Sequence, residues 1–113
     1  MVTDLTYLKE MSGGDTEIIK EMIGIFNEQV QEYMIEMPRL LAEKNYHALG
    51  KLAHKAKSSI SIMGMSAVAS DLKSLETLTK NNQNTEIYPK IVGNFVLQCK
   101  IGVSELTELL TKL

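Results

Sequence analysis

The chain has 113 residues, of which 44% are hydrophobic, 23% are charged and 5% are aromatic, and its formal net charge is −2. This length predicts a single domain over residues 1–113, and the composition excludes an intrinsically disordered chain, a collagen-like repeat and a disulfide-rich scaffold. The weakly acidic balance, with a pI of 5.7, argues against nonspecific nucleic-acid binding.

Two helices are predicted in the N-terminal part of the chain. A short first helix is predicted to begin after Thr3, whose hydroxyl would cap it, and to end before Ser12. Asp15 is predicted to cap a long second helix, because an acidic residue there complements the positive end of the helix dipole. Pro38 lacks a backbone donor, so we expect this helix to kink or restart near Met37 and to close at residues 43–45. Its predicted buried stripe is Ile19, Ile23, Phe26, Val30, Tyr33 and Met37.

Three further helices are predicted in the rest of the chain. The third runs from about Tyr46 to Met63 and is ended by Gly64, and the fourth continues to a polar loop over residues 80–84. The last is predicted to be capped by Thr85 and to carry Pro89 in its first turn. The predicted buried positions are Tyr46, Leu49, Ala53, Ala56, Ile60 and Met63 in the third helix, Met65, Val68, Leu72, Leu75 and Leu78 in the fourth, and Tyr88, Val92, Phe95, Cys99, Val103, Leu106 and Leu110 in the last.

The periodicity of apolar residues predicts the fold class. Apolar residues recur every three or four positions, and no stretch alternates as a strand does. We therefore predict an all-α fold, an antiparallel up-down four-helix bundle with a short extra N-terminal helix. No apolar run is long enough to cross a bilayer, and the first residues do not resemble a signal peptide. With Cys99 as its single cysteine and no long heptad seam, the protein is expected to be cytoplasmic and monomeric.

Sequence motifs for nucleotide-dependent or metal-dependent catalysis are missing. There is no G-x-x-x-x-G-K-[ST], no G-x-G-x-x-G, no H-E-x-x-H and no C-x-x-C. Residues 12–15 are interpreted as a linker and helix cap, because no lysine follows them and the acidic helix start would repel an anion. His47 and His54 share a helix face, but they lie roughly 10 Å apart along the axis, too far to share a metal ion. We therefore predict no metal site and no cofactor.

The charge is distributed unevenly along the chain. Residues 1–38 carry a net charge of −6, residues 39–57 carry +4, and residues 58–113 are balanced. A basic segment in an acidic protein favours a negatively charged partner, and we expect one smaller than a polynucleotide. His54 lies within this basic segment.

His54 is the main candidate for a functional residue, because its helix-surface neighbours are small or basic. A neutral imidazole is a nucleophile, and phosphoryl transfer needs an accessible nucleophile beside fixed positive charge. His54 and Lys57 fit these two requirements, but the same pattern also fits a solvent-facing histidine on a basic helix surface. The neighbours three and four residues away are Gly50, Lys51, Lys57 and Ser58, with Ser61 one turn further along, and Lys55 is also near.

The residues around His54 resemble the signature of histidine-containing phosphotransfer (HPt) domains. That signature is a-H-x-L-K-G-[SA], followed by L-G and then by L-E or L-Q. The resemblance extends upstream and covers most of the chain. The matching residues here are 52–59 (LAHKAKSS), 63–65 (MGM), Leu75 and Glu76, with 13–15, the Phe26 region and Leu40 upstream.

The resemblance implies a role for three side chains. His54 would accept the phosphoryl group on its outer ring nitrogen, Lys57 would stabilise that group, and Glu76 would accept a hydrogen bond from the inner nitrogen. Glu76 also fits an ordinary solvated acid on a helix. Ser58 departs from the family, which usually has glycine there, and adds a hydroxymethyl group to the rim. The expected rim and docking residues are Gly50, Lys51, Lys55, Ser58 and Ser61.

The function implied by the resemblance is a relay of phosphoryl groups between aspartates of response-regulator receiver domains, in a two-component phosphorelay that includes a hybrid histidine kinase. The chain would be a phosphocarrier rather than an autonomous kinase, and the Mg²⁺ for the reaction would come from the receiver domain. The alternative is a helical adaptor that binds a receiver or another acidic partner without carrying phosphate. A phosphatase acting on the receiver is a third possibility.

Overall fold

The computed structural model describes all 113 residues, and all its regular elements are helical. The helices are α1 (Thr6–Met11), α2 (Thr16–Ala42), α3 (Tyr46–Ile62), α4 (Ser66–Lys80) and α5 (Tyr88–Leu110), with a 3₁₀ turn at Thr85–Ile87. Both α2 and α4 pack against α3 and α5, so the four long helices surround one core in a body of 43 × 21 × 20 Å. The predicted all-α class is confirmed. No helix combines the length and the hydropathy that a membrane span requires.

The core is a single cluster of 22 buried hydrophobic residues, contributed by every helix. All six predicted stripe positions of α2 are buried, and the stripe continues to Leu40. The predicted stripes of α4 and α5 drift at their C-terminal ends: Leu78 is half-buried, and the neighbouring Thr79 is buried in its place. Val103 and Leu110 of α5 are half-buried as well, and so is Tyr46 at the start of α3. Each residue turns about 100° around the helix axis, so an apolar stripe read at fixed spacing leaves the buried face after a few turns.

The predicted cap of α1 is wrong. The helix begins at Thr6, and the Asp4 carboxylate accepts hydrogen bonds from the amide (3.0 Å) and the hydroxyl (2.7 Å) of that residue. Thr3 instead donates its hydroxyl to Glu105 of α5, with an Oγ1 to Oε1 distance of 2.7 Å. The physical reason is tertiary, because Thr3 is buried against α5 and its hydroxyl meets a carboxylate there.

Helix α2 begins and ends where its sequence predicts, but it does not restart at Pro38. Asp15 caps it by accepting hydrogen bonds from the amides of Glu17 and Ile18. The helix is continuous through Pro38 to Ala42. A proline removes one backbone hydrogen bond of the helix. The helix continues because the residues on both sides of the proline are buried and pack against the core.

The later helix boundaries are set by turn residues. Gly64 follows α3 with a φ of +71°, and a Cβ there would overlap the backbone of Asp4. The predicted Thr85 cap of α5 is wrong: Thr85 opens the 3₁₀ turn, and α5 begins at Tyr88 without a side-chain cap. Pro89 lies in the first turn of α5 as predicted. Since proline has no amide hydrogen, this end of the helix has one fewer donor to satisfy.

Candidate functional site

His54 projects from the outer face of α3. The residues that flank its turn toward the core, Ala53 and Ala56, are fully buried, and the helical period of 3.6 residues therefore directs position 54 away from the core. The imidazole side chain is 67% exposed, so a large partner can reach it.

The inner nitrogen of this imidazole is held by a residue of the neighbouring helix. Nδ1 of His54 lies 2.8 Å from Oε2 of Glu76, which α4 contributes. The Glu76 side chain is only 17% exposed, much less than the imidazole that it contacts. This contact joins residues that are 22 positions apart in the sequence.

The other carboxylate oxygen of Glu76 binds Lys57. The ammonium of Lys57 donates to Oε1 of Glu76 at 3.2 Å, and its side chain is 29% exposed. This hydrogen bond is the largest influence on the pKa of Glu76, which lies below its usual value; burial opposes the shift, and the hydrogen bond with His54 adds to it. Glu76 is therefore ionised at neutral pH.

The ionisation of Glu76 determines which imidazole nitrogen carries the hydrogen. An ionised carboxylate can only accept hydrogen bonds, so Nδ1 of His54 is the donor. In the neutral ring the lone pair then lies on Nε2. The arrangement thus presents the outer nitrogen as a nucleophile on an exposed side chain.

A polar cavity of about 290 Å³ opens beside His54 between α3 and α4. Its floor is formed where Gly50 packs against Thr79, and a Cβ at Gly50 would overlap the Thr79 hydroxyl. No hydrophobic residue lines this cavity. Its lining residues are His47, Gly50, Lys51, His54, Glu76, Thr79 and Lys80.

The predicted rim residues fall into separate groups. Gly50 is buried in the packing between α3 and α4, and Lys51 is exposed beside it in the polar cavity. Ser58 and Ser61 are exposed further along α3 and line a second, wider hollow together with Lys57. Lys55 is exposed and lines neither of these two cavities. The structure therefore brings His54 and Lys57 each into direct contact with Glu76 and distributes the expected rim residues on both sides of these three.

Lys80 and His47 are site neighbours that the sequence reasoning did not include in the site. Nζ of Lys80 lies 3.9 Å from Oε2 of Glu76, four residues before it on α4. That spacing is the signal that could have identified Lys80 once Glu76 was a candidate. His47 lines the polar cavity, and no group of three or more His, Cys, Asp or Glu side chains is arranged to hold a metal ion.

Comparison with protein families gives a match that agrees with the geometry of this site. The model of the Hpt domain matches residues 21–113, a range that contains His54, Lys57 and Glu76. Residues 13–15, which carry the upstream end of the resemblance, lie outside the matched range. Comparison with curated proteins and with solved structures gave no match. The family match covers most of the sequence, and the chain therefore belongs to the Hpt domain family.

Proposed function

We propose that this protein relays phosphoryl groups between the aspartates of response-regulator receiver domains and that His54 is its phosphoacceptor. Family membership supports the general role, since Hpt domains act in histidine phosphotransfer within two-component phosphorelays. The observation that carries the assignment of His54 is its contact with Glu76, which is 2.8 Å long and involves only the inner ring nitrogen. The outer nitrogen stays available on an imidazole that is 67% exposed.

The transfer step follows from this arrangement. The Nε2 lone pair of His54 attacks the phosphorus of an aspartyl phosphate in line, and the P–O bond breaks with its electron pair leaving on the aspartate carboxylate. The ring keeps its Nδ1 hydrogen and becomes positively charged, opposite the ionised carboxylate of Glu76. Transfer to a second receiver reverses these events, with the neutral imidazole as leaving group.

The charged residues near His54 would stabilise the transferred group. Lys57 lies one helical turn from His54, and its ammonium already donates to Glu76, the residue that contacts the ring. The Mg²⁺ for the reaction would be supplied by the receiver domain, and the present chain would act as a carrier rather than a kinase.

The docking surface is proposed to surround His54. Lys51, Lys55 and Ser58 are exposed there. An apolar hollow between α2 and α3 adds a surface that a receiver could cover, and it includes Met22 and Ile25. A receiver domain and a hybrid histidine kinase are the proposed partners. We expect the protein to be a monomer and to bind these partners in the cytoplasm.

The test uses the two histidines of α3 as a matched pair. A receiver domain is charged with a small phosphodonor, mixed with the wild type, His54→Ala or His47→Ala, and the phosphate on each chain is assayed for stability in acid and alkali. Phosphohistidine is expected to be acid-labile and alkali-stable. Wild type and His47→Ala are expected to gain such phosphate, and His54→Ala is expected to gain none.

The other outcomes separate the alternatives. No phosphate on the wild type, or as much on His54→Ala, would rule out the proposal. Binding of the receiver without transfer would indicate an adaptor. Loss of phosphate from the receiver without a labelled intermediate would indicate a phosphatase.

A further inference from the structure

Glu76 has more cations around it than its role toward His54 requires. Lys57 donates to Oε1 at 3.2 Å, while Lys80 stands 3.9 Å from Oε2, within ion-pair range but beyond a hydrogen bond. The two lysines also differ in exposure, at 29% for Lys57 and 72% for Lys80. Lys80 is therefore a loosely held second partner of a carboxylate that already has a closer one.

The proposed function gives Lys57 two tasks that conflict. A phosphoryl group on Nε2 would add a charge of about −2 and three acceptor oxygens one helical turn from Lys57. If Lys57 turns to these oxygens, Oε1 of Glu76 loses its donor. A carboxylate oxygen on a side chain that is only 17% exposed is costly to leave without a donor, although Oε2 still accepts from the ring. The hydrogen bond from Lys57 is the largest of the influences that favour the ionised carboxylate, so its loss would weaken the acceptor of the Nδ1 hydrogen.

Lys80 is placed to resolve this conflict. It follows Glu76 by four residues on α4, and the order Glu then Lys is the favourable one for an ion pair of this spacing. The ammonium needs to move by only about 1 Å to reach hydrogen-bond distance of Oε2, and from there its charge compensates the carboxylate as a whole. No hydrophobic residue lines the cavity beside it, so the Lys80 ammonium is not restrained by apolar packing there.

We propose that Lys80 is a positioning residue that replaces Lys57 as the partner of Glu76 when His54 is phosphorylated, which frees Lys57 for the phosphoryl group. This inference rests on the proposed function. It deepens that function by assigning the close pairing of Lys80 with Glu76 to the phosphorylated state, because Lys57 is the closer partner of Glu76 before the reaction.

The experiment measures the equilibrium constant for phosphoryl exchange between a receiver domain and wild type, Lys80→Met, Lys57→Met and the double variant. Methionine keeps a long flexible side chain and removes the charge. Lys80→Met is expected to lower the constant about two- to fivefold, because it removes one partly exposed ion pair from the phosphorylated state. Lys80→Arg, which keeps the charge, is expected to restore it.

The double variant distinguishes the proposed exchange from a direct contact with the phosphoryl group. Without Lys57, Lys80 pairs with Glu76 in both states, so its removal is expected to leave the constant of Lys57→Met unchanged. A further fall in the double variant would show that Lys80 acts on the phosphoryl group itself and would overturn the proposal.

The matched control is Lys73→Met, which removes the same charge from α4 at a position that makes no ion pair with Glu76. It is expected to match the wild type. An unchanged constant in Lys80→Met, or an equal loss in Lys73→Met, would overturn the inference and leave the proposed function intact. A wild type that accepts no phosphate would instead remove both.

Discussion

Glu76 organises the candidate site because its two carboxylate oxygens serve different partners. One oxygen accepts from the inner nitrogen of His54, and the other accepts from Lys57. The lysine keeps the pKa of Glu76 below its usual value, and the ionised carboxylate then determines the tautomer of the imidazole. A neutral acceptor could accept the same hydrogen bond but would not stabilise the positive charge that the ring gains on phosphorylation.

A change at Glu76 tests this role directly. In Glu76→Ala the Nδ1 hydrogen loses its acceptor, so the neutral ring is expected to shift toward the form with its hydrogen on Nε2. Glu76→Gln keeps an oxygen at the same place and is expected to retain the wild-type tautomer. Nitrogen-15 NMR of the imidazole, at a pH where the ring is neutral, measures the two populations. An unchanged tautomer in Glu76→Ala would show that the contact does not control the ring.

At the scale of the elements, the site depends on how closely α3 and α4 approach. Gly50 of α3 has no side chain, and the Thr79 hydroxyl of α4 occupies the space that a Cβ would take. This hydroxyl is satisfied within its own helix, by the carbonyl oxygens of Leu75 (2.8 Å) and Glu76 (3.0 Å). The close approach of these two helices places the Glu76 carboxylate within reach of His54.

Two glycine-to-alanine changes separate packing from helix propensity. Gly50→Ala forces a methyl group against Thr79 and is expected to destabilise the protein by about 1–3 kcal/mol. Gly93→Ala, on α5 with open space around it, is expected to stabilise it by roughly 0.5–1 kcal/mol. Urea denaturation measures both changes. Equal effects would contradict the close packing of α3 on α4.

At the scale of the whole molecule, the N-terminal segment is hydrogen-bonded to α5, the last helix of the chain. The Glu105 carboxylate accepts hydrogen bonds from the amides of Val2 (2.9 Å) and Thr3 (3.0 Å) and from the Thr3 hydroxyl. Leu8 of α1 is fully buried in the common core. The segment that precedes the residues matched by the family model is therefore part of the fold.

This attachment predicts a pH dependence of stability. Burial raises the pKa of Glu105, but the hydrogen bonds from Thr3 and Val2 outweigh it, and the pKa is lower than usual. A carboxylate with a lowered pKa in the folded state stabilises the fold fully above its ordinary pKa, and this stabilisation is lost as the pH falls through the lowered value. The free energy of unfolding of Glu105→Gln is therefore expected to lie below that of the wild type at neutral pH and to approach it on acidification.

Urea denaturation from about pH 7 to about pH 3 measures this convergence, since that range spans the ordinary carboxyl pKa. Glu108→Gln, at an exposed position further along α5, is the control and is expected to change stability by less than about 0.5 kcal/mol. A gap between Glu105→Gln and the wild type that stays constant with pH would contradict the assignment.

The sequence by itself determined the features that depend on neighbours along one helix. The spacing of apolar residues predicted the helical class and the buried stripes, Asp15 predicted the start of α2, and the position of His54 beside buried Ala53 predicted an outward imidazole. The helical spacing also placed Lys57 one turn from His54, on the side of α3 that meets Glu76. These predictions succeed because the helical period and the terminal hydrogen bonds are local.

Only the tertiary structure decided which helices approach and at what distance. The contacts of Glu76 with His54 and with Lys57, and the hydrogen bond of Thr3 to Glu105, all join side chains whose separation depends on tertiary packing. The family resemblance pointed to Glu76, but the pattern of residues also allowed a solvated acid there. Periodicity states which face of a helix is buried, whereas the interdigitation of side chains between two helices determines which polar groups meet at its edge.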